Sequence, residues 1–181
     1  TCGETSVYNS YALGNVFSEG GAGGFCAYAY GDTGAEITIE NCFSMGDVST
    51  TVYNGAGGFS LGSSDANIIN CFSTGDLFII GHQWITEPSS TMIGGFMAEC
   101  SSTLINCFSS GKINGLGVHY GFIGDIGSSV ITDCYYNSDN NGVSGFGTPK
   151  TLAEMKLDST YSTWDLVNTW RKPLNRLPVL K

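Results

Sequence analysis

Seven cysteines are the first residues here whose type and spacing suggest chemistry. Cys42, Cys71, Cys107 and Cys134 recur at intervals of 29, 36 and 27 residues. Zinc sites use cysteines in closely spaced pairs, and no such pair is present. Stacked on neighbouring parallel strands, four thiols have poor disulfide geometry, so they read as small apolar residues. Cys2, Cys26 and Cys100 lie off that phase. One bridge among them stays open, and the odd total leaves at least one thiol unpaired within the chain. His82 and His119, the two histidines, both lead into Gly-Phe phrases. No serine has a nucleophile-elbow sequence to go with them, so they read as surface or corner residues.

Carboxylates give the other candidates. Asp47 and Asp76 follow equivalent glycines and so stack on adjacent repeats. A close pair could hold Ca²⁺ or act as a glycosidase or lyase pair. Lys112 holds the next equivalent position, where it would neutralise Asp76, and a solvated edge is the simpler reading. Asn137-Ser138-Asp139-Asn140-Asn141-Gly142 resembles the start of a calcium loop. Its twelfth position is Thr148 where a bidentate Glu is needed, so an ordinary turn is expected. No catalytic, cofactor or metal site is predicted.

The elements that carry these residues are set by repetition. Asn41-Cys42-Phe43-Ser44-Met45-Gly46-Asp47 returns as Asn70-Cys71-Phe72-Ser73-Thr74-Gly75-Asp76 and as Asn106-Cys107-Phe108-Ser109-Ser110-Gly111-Lys112. Asn9–Asn15 is an earlier copy without Cys, and Asp133–Asn137 a degenerate later one. A second phrase alternates with the first: Gly23-Gly24-Phe25, Gly57-Gly58-Phe59, Gly94-Gly95-Phe96 and Tyr120-Gly121-Phe122. Short β-branched runs such as Ile37-Thr38-Ile39 lie between them, and no helical period occurs before residue 150. Units of about 30 residues without helix predict a parallel β-solenoid of about four to five coils.

Alternation from the Gly pair places Phe25, Ala27 and Ala29 inside, with Phe59 and Leu61, then Phe96, Ala98 and Cys100, then Phe122 and Ile126. Asn41, Asn70 and Asn106 should form an amide ladder at a corner. Gly46, Gly75 and Gly111 are expected to relieve a turn with positive φ. In Cys-Phe-Ser, alternation buries either Cys and Ser or the ring, and the sequence leaves both open. Leu77 to Met92 reads as a lengthened coil, either a binding loop or an extra strand or lid.

Residues 1–149 hold thirteen acids and one base, Lys112. Residues 150–181 hold the other six bases, so 149/150 divides a solenoid from a C-terminal segment. A body this acidic repels phosphate backbones and excludes nucleic acid as a partner. No apolar run has the length of a membrane span. A chain starting at Thr1 reads as processed or as a fragment. In the tail, Lys150–Lys156 reads as a short helix. Trp164, Leu166, Trp170 and Leu177–Leu180 supply apolar cover, so a cap on the last coil is expected.

Gly-Gly-Phe, a β-run and Asn-Cys-Phe-Ser-x-Gly-Asp together resemble the GLUG motif of bacterial surface and secreted proteins. The tail resembles the segment that ends such arrays, through Lys150–Lys156, Thr160–Asp165, Trp170 and Leu177-Pro178-Val179-Leu180. The resemblance implies a right-handed, all-β solenoid on extracellular proteins, some of them adhesins or immunoglobulin A proteases, and transfers no catalytic residues. The expected function is structural or adhesive, as a surface stalk or a filament subunit. Self-association head-to-tail or a host or cell-surface ligand is the expected partnership. A polysaccharide lyase or glycosidase is the alternative enzyme reading, and a spacer in a larger secreted protease is the third.

Overall fold

The computed structural model describes residues 5–32, 35–51, 55–80, 92–115, 118–140, 143 and 145–181. They form a parallel β-solenoid with four walls. The first wall stacks Val7–Tyr8, Ile37–Glu40, Ser60–Ile69, Met97–Ile105 and Ile123–Ile126. Cys26–Tyr30 and Val130–Thr132 complete it beside the two long strands. The second stacks Tyr11–Ala12, Phe43–Ser44, Phe72–Ser73, Phe108–Ser109, Tyr135–Asn137 and Thr148–Lys150. The third holds Val16–Ser18, Val48–Thr50, Leu77–Ile79 and Ile113–Gly115, and the fourth Ala22–Gly23, Ala56–Gly57 and Ile93–Gly94. Every pairing within these walls is parallel.

Repeat length becomes register. Phe43, Phe72, Phe108 and Tyr135 are successive partners across the second wall. The carbonyls of Cys42, Cys71 and Cys107 accept the N–H of Phe72, Phe108 and Tyr135 at 3.0 to 3.2 Å. The four repeated cysteines therefore stand in one column, as their spacing predicts. The Asn ladder is also present. Asn9, Asn41, Asn70, Asn106 and Asp133 all have φ near +50°, the left-handed corner that Asn tolerates. The amides of Asn41, Asn70 and Asn106 each donate to the Asn of the coil before at 3.2 Å.

The interior is filled in two parts. Phe25, Phe59, Phe96 and Phe122 stack at 4.8 to 5.0 Å between centroids, a spacing set by the strand separation. Each such pair adds about 0.5–1.5 kcal/mol beyond its burial. Val48, Leu77, Ile79, Ile93 and Ile113 pack between the third and fourth walls. The expected inward set needs one correction. Ala27 is exposed, and Leu61 and Ala98 are buried beside Gly55, whereas Cys26, Met97 and Ile123 join the Phe stack. The chain turns at the Phe corner, where Phe59 and Ser60 both donate to the Phe96 carbonyl, so simple alternation from Phe fails.

A second correction concerns Gly46, Gly75 and Gly111. None has positive φ; among the described glycines that conformation belongs to Gly55, Gly115 and Gly147. The three glycines sit in a column so tight that a Cβ on each would strike the carbonyl oxygen of the glycine one coil before. Gly14 starts the column and has nothing within 4 Å of that position. Gly75→Ala should therefore cost about 1–3 kcal/mol by overpacking. Gly14→Ala should leave the melting temperature nearly unchanged. Equal effects of the two substitutions in thermal denaturation would refute the close-approach account.

Candidate functional site

The sequence candidates are spent on holding coil to coil. In the column after the glycines, the side-chain oxygens of Asn15, Asp47 and Asp76 accept the backbone N–H of Asp47, Asp76 and Lys112 at 2.9, 2.9 and 2.7 Å. Asp47 and Asp76 thus stack as predicted. Lys112 meets Asp76 through its backbone N–H, which is a bond that any residue except Pro can make. A carboxylate that accepts a neighbour's N–H is fixed in orientation and shares its charge with the ladder.

The thiol column points inward. Cys42, Cys71, Cys107 and Cys134 are buried and unbridged, as is Cys100; Cys26 is half-buried and also unbridged. Cys71, Cys107 and Cys134 donate to carbonyls two residues back, Ile69, Ile105 and Thr132, at 3.2 to 3.3 Å. Burial pushes these three thiols well above their usual range. Ser44, Ser73 and Ser109 also point in, and their hydroxyls donate to the carbonyls of Gly58, Gly95 and Gly121 at 2.7 to 3.0 Å. Those bonds tie the Cys-Phe-Ser phrase to the Gly-Gly-Phe phrase across the interior.

The other candidates divide. His119 is buried, while Cys2 and His82 lie outside the described residues. In the calcium-like segment, Asn137 accepts the Asp139 N–H, and the Asp139 carboxylate accepts the Leu152 N–H at 2.9 Å. Asn141 and Gly142 lie outside the described residues. Of the lengthened coil, Leu77–Ile79 is an ordinary strand of the third wall, paired on both sides, so the lengthening begins later. Residues 81–91 are not among those described.

The aromatic rings of the Cys-Phe-Ser phrases point outward and are nevertheless covered. Phe72 and Phe108 are buried beneath the tail, which resolves the register: Cys and Ser face in, and the ring faces the tail. Trp170 lies against Phe72 and Phe108, and Trp164 against Phe108 and Tyr135. The Trp170 indole N–H donates to the Asn70 side-chain oxygen, and that of Trp164 to the Asp133 carbonyl. The tail is therefore a strap along the side of the coils, where a cap on the last coil was expected. Its helical part is two 3₁₀ turns, Glu154–Lys156 and Asp158–Tyr161, after a strand that runs to Lys150. A hairpin of Trp170–Arg171 and Val179–Leu180 ends it.

The strap creates a feature that repeat analysis missed. A groove of about 680 Å³ runs between it and the second wall. Phe43, Met45, Phe72, Leu177 and Leu180 give it an apolar floor. Lys156, Arg171 and Arg176 line it, and no acid does. Among the described residues the one ion pair is Lys172–Asp158 at 3.4 Å, so those three cations have no ion-pair partner. The Lys172 side chain is buried and donates to the Lys156 carbonyl at 2.7 Å. The signal in sequence was six bases beside an apolar Leu-Pro-Val-Leu run. Comparison with protein-family models gives no match, and comparison with curated proteins gives none either.

Two outcomes follow from this geometry. Cys42, Cys71, Cys100, Cys107 and Cys134 should resist a thiol reagent in the native protein and react once it is unfolded. Rapid native labelling of Cys71 or Cys107, read by mass spectrometry, would contradict the inward column. The strap should loosen in acid. Hydrogen bonds from Thr151 hold Glu154 below its usual range, and those from Asn168 and Val167 do the same for Asp165. A lowered folded value means stabilisation present above the ordinary carboxylate range and lost as pH falls through the folded one. Tryptophan fluorescence should report loosening below about pH 4. Glu154→Gln with Asp165→Asn should flatten that dependence.

Proposed function

We propose that this chain is a non-catalytic structural or adhesive repeat protein that works outside the cell, as a surface stalk or as a subunit of a self-assembled filament. The observation that carries this reading is where the reactive side chains go. The repeated carboxylates accept backbone N–H groups of the next coil, and the repeated thiols are buried among carbonyls. A nucleophile, base and orienting group would need to converge on an open surface, and the repeated polar residues are committed elsewhere. The resemblance to GLUG repeats supports the extracellular setting.

Self-association draws support from exposed apolar side chains on the first described coil. Val7–Tyr8, Tyr11–Ala12, Val16–Ser18 and Ala22–Gly23 each pair on one side among the described strands. Tyr8, Leu13 and Phe17 on this coil are more than half exposed.

Negative-stain electron microscopy over a concentration series should show assemblies longer than one solenoid. Acidic and neutral polysaccharides should stay uncleaved with and without Ca²⁺. Asp76→Ala should lower stability by about 0.5–1.5 kcal/mol through the lost bond to Lys112, with no activity to lose. Cleavage that vanishes in Asp76→Ala would replace this reading with the lyase or glycosidase one.

A further inference from the structure

The groove under the strap has a counterpart on the first wall. Tyr28, Gly62, Glu99 and Asp125 share one outward register there. Glu99 and Asp125 are exposed, as are Glu36 and Asp65. Like charges on adjacent strands repel, and none of Glu36, Asp65, Glu99 and Asp125 is in an ion pair among the described residues. Above this field stands an aromatic ridge. Tyr28 and Tyr30 stack at 5.1 Å, and Tyr30 is 47% exposed. Gly62 makes room for the ridge, since a Cβ there would come within 3.1 Å of the Tyr28 ring.

We propose that the basic groove takes the acidic, tyrosine-bearing first wall of a second copy of this chain. The inference rests on the self-association reading and assigns it a surface. Charge complementarity selects the occupant. Arg171, Arg176 and Lys156 have no acid beside them in the groove, and Glu36, Asp65, Glu99 and Asp125 form no ion pair with a described base. The ridge supplies what an apolar floor needs, because a Tyr ring buries large area while its hydroxyl stays wet. Arginines can also stack on such rings. Groove and ridge lie on different walls of one molecule, so the contact is heterologous. Repeated without closure it builds an open chain of copies. An anionic glycan is the competing occupant, and the aliphatic part of the floor, Met45 with Leu177 and Leu180, suits a side chain better than a sugar.

Sedimentation velocity on the full chain tests this, from about 50 to about 500 mM NaCl. The wild type should associate, and more weakly as salt rises. Arg171→Glu with Arg176→Glu should weaken association at least about tenfold, and so should Glu99→Lys with Asp125→Lys. Mixing the two variants should restore it. All four positions are exposed, and circular dichroism checks folding; Arg171→Gln with Arg176→Gln replaces the reversal if that variant unfolds. Association that survives both reversals would overturn this surface and leave self-association standing, through the first coil for example. A wild type that is monomeric throughout would overturn both. A monomer that binds polygalacturonate through the two arginines would make the groove a glycan site and overturn the second-copy assignment.

Discussion

Everything in this protein is set by the separation of stacked parallel strands, near 4.8 Å. At that distance a side chain meets its own counterpart one coil away. Residues that satisfy themselves when stacked are favoured. Phe stacks on Phe at 4.8 to 5.0 Å, an Asn amide bonds the next Asn, and an Asp carboxylate takes the next N–H. Residues that add bulk where backbones touch are excluded, hence Gly46, Gly75 and Gly111. The repeated phrase is a list of solutions to one spacing.

The two phrases alternate for a physical reason. Ser44, Ser73 and Ser109 close a buried bond to Gly58, Gly95 and Gly121, the second residue of each Gly-Phe phrase. The seryl hydroxyl satisfies a carbonyl that would otherwise be buried at the tight corner, an omission worth about 1–3 kcal/mol. Cys takes the position two residues before Ser, where a small, weakly polar group fits beneath the Phe stack. Replacing either phrase alone would leave the other with an unmet group.

Repetition made the fold readable, and departures from repetition were where reading failed. The Cys column, the Asn corner and the stacked Asp47 and Asp76 followed from spacing alone. Ala27 was misplaced because the strand begins with a double donation to one carbonyl, which breaks alternation without changing composition. Gly75 was given the wrong reason because positive φ and close approach select the same residue. The orientation of Phe72 could not be settled because both its faces of the sheet are covered, one by the interior and one by the strap. Trp164 and Trp170 were legible as buried, but nothing local says which coil they cover. That depends on the path of the strap back along the second wall.

The same logic shows where function can reside. A coil that bonds its neighbours with every repeated polar group has no such group to spare, and a ligand that displaced one would open the ladder. Specific recognition is therefore left to parts that occur once. The strap is such a part. It ends with Leu180 packed against the second wall and places Arg171 and Arg176 at the surface. It brings positive charge to a molecule whose solenoid has almost none. Had its purpose been burial alone, neutral side chains at Arg171 and Arg176 would cover Phe72 and Phe108 equally well, because Trp164 and Trp170 make the ring contacts. Two exposed arginines on an acidic molecule strengthen long-range attraction to anything that shares the charge of its own walls.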